Sequence, residues 1–153
     1  MAKLEEALKA VNPQVKFVRP QLPHSDKKSP ISKSVNFLKN LKIAGGTLIV
    51  GKSAGGLAAA KLQEESRPDL YVICISSPTR SQSGDVKLVE KMPRRVAVYS
   101  STDGVIAGRV ERWPLLANAY DLPWLTHDTD AHIDKLAKLI QGYINGEDLS
   151  LLV

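Results

Sequence analysis

The chain predicts an α/β fold, a mostly parallel sheet with helices on both faces. Short apolar runs rich in β-branched residues alternate with amphipathic stretches along the whole length. Thr47-Leu48-Ile49-Val50 runs directly into Gly51-Lys52-Ser53-Ala54-Gly55, a strand, a sharp turn and a helix start in succession. Strands separated by helices need crossovers, and crossovers make neighbouring strands parallel. There is no internal repeat and no compositional boundary, so 1–153 is expected to be one domain with a tail at 145–153.

The elements follow in order. Leu4, Ala7, Leu8 and Val11 share one helical face, and Pro13 ends that helix. Val15–Val18 is a short strand closed by Pro20 and Pro23, and the polar residues 24–30 are a loop. Ile31, Val35, Leu38 and Leu41 mark a second helix. After the strand at 47–50 comes a helix from about 54 to 65. Tyr71–Ile75 is a strand that Ser76-Ser77-Pro78 breaks, and residues 79–92 are a polar loop. Val96–Ser100 is the next strand. Arg109–Ala119 is read as a helix interrupted or started near Pro114, and Pro123–Thr126 as a short last strand. Ile133, Leu136, Leu139, Ile140 and Tyr143 form the stripe of a final helix. A parallel sheet of this kind places its ligand site at the carboxyl ends of the strands.

Composition narrows the function. At 43% apolar and 24% charged residues, the 153-residue chain suits a globular domain with a real core. No apolar run approaches the roughly 20 residues of a membrane span, and Met1–Val11 lacks the apolar centre of a signal peptide. The single cysteine, Cys74, lies in an apolar run and reads as a buried strand residue. The cytoplasm is the expected compartment. Residues 1–52 hold ten Lys/Arg against three Asp/Glu, a net +7, which could meet an acidic partner. The lysines are scattered and aromatics make up only 5%, so nucleic acid is not the expected partner. The histidines and the cysteine show no ligand spacing, and neither metal nor cofactor is expected.

Residues 51–55 carry the chemistry. Gly51-x-Ser53-x-Gly55 between strand and helix is a nucleophile elbow. The serine sits in a strained turn, and a side chain at Gly51 or Gly55 would strike the neighbouring strand or helix. The helix start behind it offers backbone N–H groups and partial positive charge to an oxyanion. Gly46-x-x-x-x-Gly51-Lys52-Ser53 also satisfies the phosphate-binding pattern G-x-x-x-x-G-K-[ST]. That loop needs its strand before the first glycine, whereas here the strand lies between the glycines. A tight turn with an ordinary serine is the third reading.

A serine hydroxyl needs a base to take its proton and a carboxylate to orient that base. Asp103 lies in a turn just past the strand Val96–Ser100, with Val105 and Ile106 behind it as anchors. His127 lies in the loop before the last helix; His132, at the helix start, is the alternative base, and His24 precedes Ser53. Asp128 and Asp130 read as acids of the helix N-terminus.

Residues 31–144 resemble the catalytic half of a small, capless bacterial α/β-hydrolase of the esterase type. The likeness rests on Gly51-Lys52-Ser53-Ala54-Gly55-Gly56, on Asp103-Gly104-Val105-Ile106, and on His127 before an amphipathic helix. Met1–Pro23 is similar to that family's first helix, next strand and Pro-x-Leu-Pro turn. The resemblance implies a truncated α/β-hydrolase fold in which Ser53 is the nucleophile, His127 the base and acid, and Asp103 its orienting residue. The Ala54 N–H would be one oxyanion donor. The leading strands and the Gly-rich loop that supplies a second donor are not matched before Leu4, and Lys52 is an unusual neighbour for such a serine.

These features imply a serine hydrolase acting on a small ester or thioester. Two alternatives stand beside it: a non-catalytic hydrolase-like binding or structural protein, and a nucleotide binder using the phosphate loop. An uncovered apolar edge beside Val15–Val18 and the apolar tail Leu149–Val153 further predict a two-fold homodimer. The second donor would then be absent or come from the 20–30 loop or the partner chain.

Overall fold

Four strands, β1 (Leu48–Lys52), β2 (Tyr71–Ile75), β3 (Arg95–Tyr99) and β4 (Asn118–Asp121), lie side by side in chain order, and every pairing is parallel. The structure, a computed structural model, describes residues 1–12, 17, 22 and 30–153. Alternation along β2 and β3 divides the core in two. Val72, Cys74, Ala97 and Tyr99 face one side, and Ile73, Ile75, Val96 and Val98 the other. On the first side lie α2 (Ile31–Lys39), α3 (Ala54–Ser66) and the single turn α4 (Trp113–Leu116). On the second lie α1 (Ala2–Val11) and α5 (Ile133–Ile144), with Leu4, Leu8, Leu136, Leu139 and Ile140 buried between helices and sheet. Helices therefore cover both faces.

The helices differ in pattern because their surroundings differ. α3 is wedged between the sheet and α2, so Leu57, Ala58, Ala59, Ala60 and Leu62 are all buried, and three alanines in a row let the helix sit close to the strands. α5 has a single apolar stripe because one face meets solvent. Trp113 is fully buried, and its indole N–H donates to the Ser77 carbonyl at 2.8 Å.

The structure departs from the sequence reading between residues 109 and 126. The helix expected over Arg109–Ala119 is only Trp113–Leu116, and the last strand is Asn118–Asp121, not Pro123–Thr126. Leu122 N–H donates to Tyr99 O at 2.6 Å as the final rung beside β3. Pro123 has no N–H and ends the ladder there. Of the anchors expected behind Asp103, Ile106 is buried and Val105 is exposed. The strand expected at Val15–Val18 and His24 lie outside the described residues, apart from Phe17, which packs against the α1–α5 core. Thr47–Val50, the segment between the glycines of the phosphate-loop pattern, forms the approach to and first half of β1. Leu48, Ile49 and Val50 stand opposite Tyr71, Val72 and Ile73. A backbone committed to that ladder cannot wrap a phosphate, so this alternative falls away.

One polar cluster ties the amino end of the sheet together. Arg95 is fully buried, and all five of its guanidinium N–H groups are used. Nε donates to Gln63 Oε1; Nη1 to the carbonyls of Glu90 and Leu116; Nη2 to Ala60 O and to Glu64 Oε2 at 3.2 Å. The Glu64 side chain is 2% exposed and also accepts the Val89 and Glu90 N–H groups. Breaking a buried pair by removing one partner typically costs about 3–5 kcal/mol, because the other charge stays buried. Arg95→Met should therefore lower the urea-unfolding free energy by about that amount. A loss below about 1 kcal/mol would show the cluster to be dispensable.

Candidate active site

The close approach of two glycines builds the turn after β1. A Cβ on Gly51 would lie 2.5 Å from Gly56 Cα, and one on Gly56 would lie 2.1 Å from Ser77 Oγ and 2.8 Å from Gly51 O. Strand and helix thus touch backbone to backbone, with the buried Ser77 filling the space behind. The close contact expected at Gly51 is present, and it involves Gly56, which the sequence reading did not single out, with the Gly55 carbonyl carbon 2.7 Å from the same Gly51 Cβ position. Cys74 sits beneath this contact, its Sγ 3.4 Å from Gly56 O. Burial pushes its thiol up to about 12, with the Arg95 charge opposing, so it is not a nucleophile at neutral pH.

Ser53 occupies the apex with φ +52° and ψ −126°, a region nearly closed to residues with a side chain. Its N–H donates to Ile75 O at 2.8 Å, one rung beyond β1, and its carbonyl accepts the Gly56 and Leu57 N–H groups. The backbone is therefore fixed from both sides. Ala54 and Gly55 are the first residues of α3, and their N–H groups have no acceptor within the helix. They point to the end where anionic charge is favoured.

Asp103 lies in the loop after β3. Its N–H donates to Ser100 O at 3.1 Å and its carbonyl accepts Ile106 N–H at 3.3 Å. The two carboxylate oxygens are divided. Oδ1 accepts the Val105 N–H at 2.9 Å, and Oδ2 takes His127 Nδ1 at 2.8 Å. Asp121, at the end of β4, accepts Ser101 N–H and pins the same loop. With a carboxylate as partner, Nδ1 carries the proton and the Nε2 lone pair is left for other work. The His127 side chain is 26% exposed and that of Asp103 2%.

His132 does something else. Its Nε2 lies 3.1 Å from Thr126 Oγ1, and its ring stands edge-on to Trp124 at 5.4 Å. It props the loop that carries His127. Asp128 accepts Asp130 N–H and caps the turn before α5. Asp103, Val105, Pro123, Leu125 and His127 line an open depression of about 390 Å³.

The structure joins Asp103 to His127. Among the described residues no hydrogen bond links Ser53 to His127, and Ser53 does not line the depression. Sequence reasoning passed over Ser76, which follows β2. It is fully buried with φ +49°, and its hydroxyl has no hydrogen-bond partner. Nothing in Ile75-Ser76-Ser77 marks the positive φ in advance, because serine gives no glycine-like signal.

The chain matches no family profile and no curated protein. Among solved structures it is similar to alpha/beta hydrolase domain-containing protein 10 from mouse, with a TM-score of 0.62 and 12% sequence identity. The match covers 95% of this chain and 83% of that one. At that identity the likeness concerns the fold, and the fold is that of an α/β-hydrolase. No helix among the described residues is long and apolar enough to cross a membrane.

The strain at Ser53 gives a stability prediction. A residue forced into such a conformation costs about 1–3 kcal/mol. Ser53→Gly should raise stability by about 0.5–2 kcal/mol, the strain relief less the entropy cost of glycine. Gly56→Ala should do the opposite, lowering it by about 2 kcal/mol or more. Thermal unfolding of both variants checks the pair; equal and small shifts would mean the turn holds no strain.

Proposed function

We propose that the chain is a serine hydrolase acting on small carboxylic esters or thioesters. The observation that carries the reading is the strained Ser53 at a strand-to-helix turn, on the same sheet edge as the 2.8 Å pair of His127 and Asp103. Ser53 Oγ attacks the carbonyl carbon as His127 Nε2 removes its proton. The oxygen that becomes negative is met by the Ala54 N–H at the start of α3. His127 then protonates the departing alkoxide or thiolate, leaving an acyl-Ser53. Water, deprotonated by the same Nε2, attacks that acyl group and releases the acid with Ser53 restored. Asp103 keeps the proton on Nδ1 and stabilises the imidazolium. For transfer to occur, His127 and Ser53 must close to hydrogen-bond reach when substrate binds, as apo sites often require.

The absence of a Ser53–His127 hydrogen bond favours a second reading, a hydrolase-like binding protein without turnover. A fluorophosphonate probe separates the two. The hydrolase should be labelled in the wild type, left unlabelled in Ser53→Ala, and labelled far more slowly in His127→Ala. Losses of about 10³-fold or more in ester turnover are expected when a member of such a unit is removed. Equal labelling of wild type and Ser53→Ala would overturn Ser53 as the nucleophile, and no labelling of a folded wild type would favour the binding protein.

Self-association is proposed as well. β1 is an edge strand among the described residues, and Leu151, Leu152 and Val153 are exposed at the chain end. Light scattering at micromolar concentration should give twice the monomer mass; the monomer mass would refute the dimer.

A further inference from the structure

Two arginines cross-link neighbouring loops through backbone carbonyls and, among the described residues, pair with no acid. Arg80 follows β2 and Arg109 follows the Asp103 turn. Arg80 Nη2 donates to Gly108 O at 3.2 Å; Arg109 Nη1 donates to Arg80 O at 3.2 Å and its Nη2 to Val105 O at 3.1 Å. These crossed bonds gather two guanidinium groups from distant parts of the sequence. The loops beneath them are fixed, because Thr79 binds Arg109 O through both its N–H at 2.7 Å and its hydroxyl at 3.1 Å. Among the described residues neither arginine forms an ion pair with a carboxylate. Arg109 is half-buried, and burial together with the Arg80 charge holds it below the ordinary arginine range. Adjacent like charges without a counter-ion are unfavourable, and a bound anion relieves them. Each guanidinium also keeps donors that the carbonyls do not use.

The pair sits beside the candidate site. Val105, whose carbonyl holds Arg109, lines the depression next to Asp103 and His127. We propose that Arg80 and Arg109 form an oxyanion site on this rim, which takes the carboxylate or phosphate group of an anionic ester substrate. The guanidinium fork fits either group in bidentate fashion. The inference names the substrate class of the hydrolase reading and rests on that reading only for the reacting bond.

Two measurements keep the claims apart. Succinate and inorganic phosphate are titrated separately into the wild-type protein by calorimetry. At least one should bind saturably, succinate marking a carboxylate and phosphate a phosphoryl group. Arg80→Gln, an exposed position, and Arg109→Gln should each weaken that binding about tenfold to a hundredfold, as loss of charged hydrogen bonds does. Circular dichroism checks that each variant is folded, and Arg80→Gln alone suffices if Arg109→Gln is not. In parallel, kcat/KM for a nitrophenyl hemisuccinate is divided by that for nitrophenyl acetate, and the ratio should fall by a similar factor in the variants. Arginine-dependent binding without hydrolysis of either ester supports the anion site and overturns the hydrolase reading. Absence of saturable binding, or binding and ratios that ignore both substitutions, overturns the anion site whether or not the esters are cleaved.

Discussion

The backbone contact between Gly51 and Gly56 is the constraint from which the carboxyl edge of the sheet follows. A helix that leaves a strand so abruptly must lay its first turn against the strand it came from, and only hydrogen at both positions allows this. The bend drives Ser53 into its strained conformation and aims the free N–H groups of α3 at the same space. It also fixes how deep α3 sits, and so why three consecutive alanines line its buried side. Ser77 and Cys74 pack behind the bend from β2, so the neighbouring strand is shaped to fit it.

The two ends of the sheet are opposite in chemical character. At the amino end of β3, Arg95 is buried with every donor engaged, and Glu64 and Gln63 answer it from α3. At the carboxyl end, groups are held in place but have no partners among the described residues: Ser53 Oγ, the Ser76 hydroxyl and Nε2 of His127. A domain can tolerate unsatisfied groups at one edge when the opposite edge is rigid and saturated.

Much of this was legible in the sequence, for physical reasons that differ by element. β1, β2 and β3 are apolar runs bounded by glycine, serine or proline, and pattern alone places them. α1 and α5 carry clean stripes. The pairing of Asp103 with His127 could be read because the fold puts strand ends at one edge, whereas among the described residues no hydrogen bond brings Ser53 to them. β4 could not: Asn118-Ala119-Tyr120-Asp121 has neither strand pattern nor apolar weight, and it is a strand because β3 offers it an open ladder. The Arg95 cluster was hidden because an arginine in a strand reads as a surface residue until its partners are known. The Arg80–Arg109 pair had no local signal at all, since the loops meet only in three dimensions.

The pairing of α1 with α5 joins segments more than a hundred residues apart in sequence. During synthesis Leu4 and Leu8 leave the ribosome well before the helix they pack against. Until it arrives, Ile73, Ile75, Val96 and Val98 lack the cover that α5 gives them. The α2–α3 side can condense earlier from local contacts, whereas the other half of the core waits for α5. A nascent or shortened polypeptide that lacks α5 would thus display an apolar sheet face, a natural target for chaperones and proteases, and the His127 loop would be positioned only once α5 is made.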